Sequence, residues 1–384
     1  MLYVEIYTRK WLGFNIYREV LGGYCMGGKF KWTKFENCDI NDPFFNSLKQ
    51  DYPEFPQWFM KKSKNGESAL VCEDEKGLSA FLYLKEEKEP IELIDQILPS
   101  KKRIKIGTLK LDERIQGQRL GEGAVGVALW RWQESEAEEI YLTVFPKHTL
   151  LIELIEKFGF IYMGRNKRGE SVYLKSKKKI YYSDPFKAFP FLNPYFEKAG
   201  YIPIYDYYHD TLFPYSELYN TKQEVEEKAA ANGITKVFIG FPTSNLHHKV
   251  GEPVIIYRID TKAEKNKQYK SAATSFCTLT NLTIIKSDNI PNIDLDKFIK
   301  LAGNKTVYSP EELEQFFYEK KNIVLIEMVY NGFFGKGKNV TFKELNEKGL
   351  FNDYPYNIVL SREQFISILE MGGKDVSNII INKT

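Results

Sequence analysis

Cysteine and histidine are scarce in this 384-residue chain, with four of each. Cys25, Cys38, Cys72 and Cys277 show no C-x-x-C spacing and no metal-ligand pattern with the histidines. A disulfide scaffold and a zinc ribbon are thereby excluded, no metal is expected, and the thiols read as reduced in a cytoplasmic protein. Long apolar runs are missing: none reaches membrane-spanning length, and Arg9-Lys10 breaks the early aromatics where a signal peptide would need an unbroken core. Charge of one sign is missing too. Fifty-four Lys and Arg against 51 Asp and Glu leave a net charge of +3, which by itself does not argue for a polyanionic partner. Two nucleotide signatures are absent as well, the Gly-Lys-Ser/Thr ending of a P-loop and G-x-G-x-x-G. Aromatics are plentiful, at 15%, and read first as aromatic-rich cores.

The most informative stretch is Leu109–Ala124, LKLDERIQGQRLGEGA. Ile104, Ile106, Leu109 and Leu111 give it a strand-like beginning, and Asp112–Gln118 a polar turn. Val125, Ala128, Leu129 and Trp132 then recur at helical spacing. A strand, a glycine-bearing turn and a helix N-terminus make an anion site, because unpaired backbone N–H groups and the positive end of the helix dipole face one point. Gly121 and Gly123 are expected to let a pyrophosphate approach the backbone. Further on, Glu139–Phe145 reads as a strand and Pro146-Lys147-His148 opens a helix with Leu150, Leu151, Leu154, Ile155 and Phe158 on one face. Gly159 is a suitable residue just past its end.

Gln118-Arg119-Leu120-Gly121-Glu122-Gly123 fits Gln/Arg-x-x-Gly-x-Gly/Ala and, with the ending Glu156-Lys157-Phe158-Gly159-Phe160, resembles the GNAT acyltransferases over roughly residues 104–175. The resemblance implies acetyl-CoA as cofactor and an amine as acceptor. It assigns Leu109, Lys110 and Leu111 to the pantetheine-holding strand, and Gln118, Arg119, Leu120, Gly121, Glu122, Gly123 and Ala124 to the pyrophosphate loop. The family's usual tyrosine acid falls at Ile155, which has no proton to give, so Tyr162, Tyr141 or water would substitute. His148 stands where many members keep an asparagine; an imidazole there suits acid or base work, with Glu113 a further base candidate.

The remaining order fits the same fold. Phe30–Phe35 reads as a first strand, Asn41–Lys62 as helical segments broken near Pro53 and Pro56, and Ser68–Cys72 and Leu78–Lys85 as a hairpin. Phe44–Trp58 would lie over the acceptor side of the sheet. Lys175–Lys179 reads as a solvated basic linker, and residues 181–220 as a long packed connection without clear period.

Beyond it, Gln223–Ala231 reads as a helix closed by Asn232-Gly233, and Lys236–Phe241, Val254–Ile259, Ala272–Leu279 and Ile323–Tyr330 as strands. Ser309–Glu312, Thr341–Glu344 and Ser361–Gln364 are capping boxes. GEPVIIYR at 251–258 and YKSAATS at 269–275 are similar to PUA-like barrels of the ASCH type, although the G-x-K-x-x-E-x-R signature is absent. That similarity makes Tyr257, Arg258, Lys270, Thr274 and Ser275 candidates for nucleic-acid contact, with RNA or tRNA as the partner it implies. His247-His248 are expected to point apart, sharing no metal.

The expected fold is therefore α/β (α+β): an extension at 1–29, a GNAT mixed β-sheet flanked by helices at 30–178, and a connection followed by a PUA-like small β-barrel with helices at 179–384. The expected activity is N-acyl transfer, with the second part selecting the acceptor. The rival readings are a coenzyme- or RNA-binding module without catalysis, and a toxin-like acetyltransferase of aminoacyl-tRNA.

Overall fold

The computed structural model describes residues 31–74, 76–115, 117–216, 218, 229–243, 246–262 and 267–381. The proposed extension, 1–29, and most of the proposed helix at 223–231 lie outside them. The first part is a seven-stranded mixed sheet. Its strands are β1 Lys31–Lys34, β2 Ser68–Asp74, β3 Gly77–Glu87, β4 Arg103–Leu111, β5 Glu139–Val144, β6 Ile161–Arg165 and β7 Ser171–Ser176. They lie in the order β1-β2-β3-β4-β5-β7-β6. Of these strands only β4 and β5 pair in parallel, joined by the crossover helix α3, Leu120–Glu134.

Alternation along the strands assigns each face. Leu70, Leu82, Ile104, Ile106, Ile140 and Leu142 pack in one core with α3 and with α4, Thr149–Lys157. On the opposite face, Val71, Phe81 and Tyr83 meet Phe45 and the helices α1, Asn46–Asp51, and α2, Phe55–Lys64. Phe35 sits there within 5.6 Å of four other aromatic rings, all edge-on. The expected turn after α4 is present: Gly159 has φ +81°, and Phe160 N donates to the Ile155 carbonyl at 3.1 Å.

The second sheet contains β8 Lys198–Tyr205, β9 Thr235–Gly240, β10 Pro253–Ile259, β11 Ala272–Ser287, β12 Ile323–Phe333 and β13 Val359–Ser361, in the order β9-β12-β11-β10-β8-β13. β8 and β10 are parallel. β11 is 16 residues long, twice the length read from its pattern, and three register shifts against β12 break its period. Residues 290–291 and 340–341 add two short strands to it. The helices here are α5 Asp206–Leu212, α6 Leu295–Ala302, α7 Pro310–Glu319, α8 Phe342–Glu347 and α9 Arg362–Met371. The three expected capping boxes head α7, α8 and α9 with both reciprocal hydrogen bonds formed.

Two expectations change. The connection at 181–220 contains β8 and α5; Tyr201, Ile202 and Ile204 are buried on both faces of β8, so the alternation that marks a half-exposed strand is absent. Lys175 is not solvated but 2% exposed, donating to the carbonyls of Phe158 at 2.6 Å, Lys187 at 2.9 Å and Phe189. Three carbonyls compensate this ammonium for its lost water, while burial holds its pKa well below the usual lysine value.

The helix α3 is buried almost all round because the second part covers the side turned away from the first sheet. Trp130 Nε1 donates to the Asn331 carbonyl at 2.7 Å, and a side chain on Gly126 would collide with Ile234. Cys38, Cys72 and Cys277 are buried with no disulfide among them. Among the described residues, no helix is long and apolar enough to cross a membrane.

Candidate functional site

The ladder between the two parallel strands stops halfway. β4 and β5 pair from Arg103–Glu139 to Ile106–Leu142 and no further. Beyond that point β4 stays with β3 as far as Leu111, while Thr143 and Val144 stay with β7. Among the described residues, the edge of β4 that faced β5 therefore has no strand partner from Gly107 onward. A bulge starts the parting: the β3–β4 register shifts between Tyr83 and Leu84, leaving Gly107 as the extra residue. A Cβ on Gly107 would lie 2.9 Å from Tyr83 Cδ1, so glycine is what lets the tyrosine ring cover the bulge. Leu109, Lys110 and Leu111 are partly exposed along this open edge.

The chain then turns through Glu113–Ile115 and enters α3, with Arg119 at its N-cap in the left-handed region, φ 59°. The backbone thus has the strand–turn–helix form expected of an anion site. Its side chains do something else. Arg119 Nη2 lies 3.0 Å from both carboxylate oxygens of Glu122 and donates to the Thr235 carbonyl at 2.6 Å. Glu122 also accepts from the backbone N–H and hydroxyl of Thr235. Burial acts to raise the Glu122 pKa, but Arg119, Lys157 and Thr235 outweigh it and hold the carboxyl below its usual range. Asn232 Nδ2 donates to the Gln118 carbonyl at 2.9 Å.

The glycines follow the same logic. A Cβ on Gly123 would strike the Asn232 carbonyl, and one on Gly121 would lie 2.8 Å from Leu111 Cδ1. Close protein packing accounts for both glycines without a pyrophosphate. Arg119, Glu122 and Gly123 tie this loop to the second sheet; Leu120 and Ala124 face the core; Gln118 stays partly exposed. What the geometry leaves for an anion is the backbone at the helix start.

On the face of the sheet covered by α1 and α2, two tyrosine–glutamate pairs lie beside the open ladder, Tyr52–Glu170 and Tyr83–Glu67, while Tyr141–Glu87 lies against its closed half. Glu170 has the densest surroundings. At 4% exposure it accepts from Tyr52 Oη at 2.7 Å, Asn166 Nδ2 at 2.8 Å and Thr143 Oγ1 at 3.2 Å. Thr143 is the first residue of β5 beyond the paired segment. The Tyr52 ring packs on Phe145 at 5.4 Å. Burial, and then the hydrogen bond to Glu170, push the Tyr52 phenol far above its usual pKa, so it remains a proton donor. Glu170 and Tyr52 escaped the sequence reading because they are 118 positions apart, and the turn Lys167-Arg168-Gly169 beside Glu170 reads as ordinary surface.

The three expected catalytic groups do not converge. His148 lies between β5 and α4 with its side chain 48% exposed, Nε2 3.7 Å from Asp51 Oδ2. Glu113 is exposed in the turn after β4. Tyr162 is on the edge strand β6, paired with Tyr173 of β7 and separated by β7 from the open ladder. Ile155 is fully buried in the core under α4.

The candidates for nucleic-acid contact are mostly interior. Tyr257 and Arg258 are 4% and 5% exposed, Thr274 and Ser275 0%; of the five, Lys270 alone is exposed. Arg258 binds both carboxylate oxygens of Asp210, at 2.8 and 3.0 Å. His209 links Asp210, 2.8 Å from Nδ1, to Thr274 Oγ1, 2.7 Å from Nε2. Burial opposes the charged Asp210, yet His209 and Arg258 win and lower its pKa to about 2. Four of the five side chains thus belong to the core or to a satisfied buried network, which corrects the expectation that they form a binding surface. The i, i+4 aspartates of α5 around His209 were the signal for that network. His247 and His248 do not point apart: their rings stack 4.2 Å apart at 18°.

No family model matches the chain, and no curated protein sequence matches it. Solved structures are similar to it in part. A point mutant of an ASCH protein of Zymomonas mobilis is 11% identical over 46% of this chain and 96% of its own, with a TM-score of 0.30. A PaiA N-acetyltransferase of Thermoplasma acidophilum, solved with coenzyme A, is 14% identical over 39% of this chain and 99% of its own, TM-score 0.29. A point mutant of the toxin AtaT, bound to the C-terminus of the antitoxin AtaR and acetyl-CoA, is 13% identical over 40% of this chain and 94% of its own, TM-score 0.30.

Proposed function

We propose that the chain is a GNAT-type N-acyltransferase that moves an acetyl group from acetyl-CoA to an amine, with the second sheet region selecting the acceptor. The parted ladder carries this reading: an open strand edge at 107–111 runs directly into a turn and a helix start. Leu109–Leu111 would hold the pantetheine amides by their open backbone edge, and the backbone at Gln118–Glu122 would hold the pyrophosphate. Acetyl-CoA supplies an activated thioester: a bond forms from the acceptor nitrogen to the acetyl carbon, the carbon–sulfur bond breaks, the nitrogen gives up a proton, and coenzyme A leaves as a thiolate that takes a proton from solvent. Glu170, aligned by Tyr52 and Thr143 beside the parted strands, is the proposed proton acceptor, directly or through Tyr52. His148, with Asp51 beside it at the end of β5, is the second candidate. The buried Ile155 favours one rival, a coenzyme-binding module without turnover, since no acid stands at that position.

Calorimetry with acetyl-CoA and turnover against amines, peptides and aminoacyl-tRNA test the reading. Gln118→Glu adds a negative charge at the helix start and keeps the carbonyl that Asn232 uses, so it should weaken acetyl-CoA binding about tenfold. Absent or unchanged binding overturns the coenzyme assignment. Binding without turnover on any acceptor leaves the module.

A further inference from the structure

The start of α3 is gripped by the second part of the chain. Asn304 Nδ2, in the turn at 303–305 after α6, donates to the Gly117 carbonyl at 2.8 Å. Asn232 Nδ2, at the end of the helical turn Ala229–Asn232 that leads into β9, donates to the Gln118 carbonyl at 2.9 Å. Thr235, the first residue of β9, reaches Glu122 twice: its N–H and its hydroxyl meet the same carboxylate oxygen at 2.5 and 2.7 Å. Each of these partners is more than 100 positions away along the chain.

The bonds fix where the remaining donors of the loop point. The carbonyl and the N–H of a trans peptide lie on opposite sides. With its carbonyl taken by Asn232, the peptide between Gln118 and Arg119 turns the Arg119 N–H away from Asn232. Leu120, Gly121 and Glu122 follow with the first N–H groups of the helix, which have no carbonyl one turn back. Among the described residues, none of these four N–H groups meets an acceptor. They are the backbone that the proposed pyrophosphate would use, together with the positive end of the helix dipole. The Glu122 carboxylate, in the first turn, opposes an anion at the same place. Thr235 draws its oxygen to β9 and Arg119 balances its charge, and the side chain is left 13% exposed.

We propose that Asn304, Asn232 and Thr235 are positioning residues for the coenzyme: the two asparagines aim the peptide groups of the loop, and Thr235 keeps the Glu122 carboxylate from the pyrophosphate. The inference rests on the coenzyme reading above and deepens it, because it makes part of the second sheet region a component of that site. Coenzyme binding and the contacts at 232–235 are then linked, each favouring the other by the same factor.

The test is calorimetric titration of the full chain with desulfo-coenzyme A. Thr235→Val keeps the shape and the backbone N–H but loses the hydroxyl, and should weaken binding about tenfold. Thr235→Ser keeps the hydroxyl and should bind within about twofold of the parent. Glu122→Gln added to Thr235→Val removes the charge that Thr235 restrains and should recover most of the loss, a recovery that a purely structural role for Thr235 would not give. Asn304 is exposed, so Asn304→Ala keeps the test sharp should the Thr235 variants fail to fold. It should weaken binding about fivefold. Parent-like affinity in both Thr235→Val and Asn304→Ala overturns the proposal, as does a double variant that binds no tighter than Thr235→Val alone. A parent chain that does not bind desulfo-coenzyme A overturns the coenzyme reading itself, and this inference with it.

Discussion

The two sheets hold the same kinds of reactive side chain in opposite states. In the second sheet, Arg258, Asp210, His209 and Thr274 form an unbroken line of charge and hydrogen bonds with almost no exposure. In the first, Tyr52, Glu170 and Thr143 are hydrogen-bonded just as closely, but around a place where two strands have parted. The difference is in the backbone. His209, held between an aspartate and a hydroxyl, lies fully buried under a paired sheet. Glu170 is hydrogen-bonded instead to the first residue of β5 beyond its paired segment. On the function proposed above, the parted strands, more than the inventory of side chains, distinguish a site from a strut.

The largest expected effect breaks the strut. Arg258→Ala leaves Asp210 charged and buried without its bidentate partner, and removing one member of a buried pair costs about 3–5 kcal/mol. Urea unfolding should show the loss, and an unchanged midpoint would mean that the network is not structural. Glu170→Gln attacks the other side of the comparison. It keeps the shape and an acceptor for Tyr52 but removes the charge, so turnover should fall about 100-fold while acetyl-CoA affinity stays within about twofold. A parallel loss of affinity would instead make Glu170 part of the scaffold of the parted strands.

A pH titration of stability sharpens the contrast further. Burial, followed by the neighbouring His247, lowers the His248 pKa to about 3, against about 6.5 in an unfolded chain. The unfolded state binds the proton more readily. The contribution of neutral His248 is therefore complete above about pH 6.5 and declines as the pH falls towards 3, by up to about 1.4 kcal/mol per pH unit. Asp210 adds its own loss as the pH falls from about 3.8 to about 2. Melting temperatures between pH 7 and pH 5 should fall, and His248→Phe should flatten the slope; a slope equal to the parent's would show that other groups carry it.

Legibility in the sequence followed locality. The β4–turn–α3 unit, the α4 ending at Gly159 and the three capping boxes were readable because each is decided by residues within a few positions. The partners of those residues were not. Gly123 and Arg119 stand where a phosphate loop would have them, yet both are explained by a segment more than 100 positions away. The buried Lys175 was hidden in a run of lysines, although only its own ammonium meets three carbonyls. Strand β8 was lost because burial on both faces erases alternation. Glu170 had no local mark at all.

The smallest expected effect concerns two of the groups that the family resemblance offered for proton transfer. Tyr162 and the open ladder are separated by strand β7, and neighbouring strands lie roughly 4.8 Å apart, which sets its backbone about 10 Å from β5. Tyr162→Phe should therefore alter turnover less than about twofold, the scatter of a surface change. His148 stands at the end of β5 with Asp51 near its Nε2, on the same side as Glu170. If it takes the acceptor's proton, His148→Ala lowers the rate and leaves acetyl-CoA affinity in place. If Glu170 takes it, the rate survives the loss of the imidazole and falls in Glu170→Gln. Measuring turnover and acetyl-CoA affinity of the three variants side by side separates these cases, and a large loss of rate in Tyr162→Phe would show that the edge strand approaches the site during turnover.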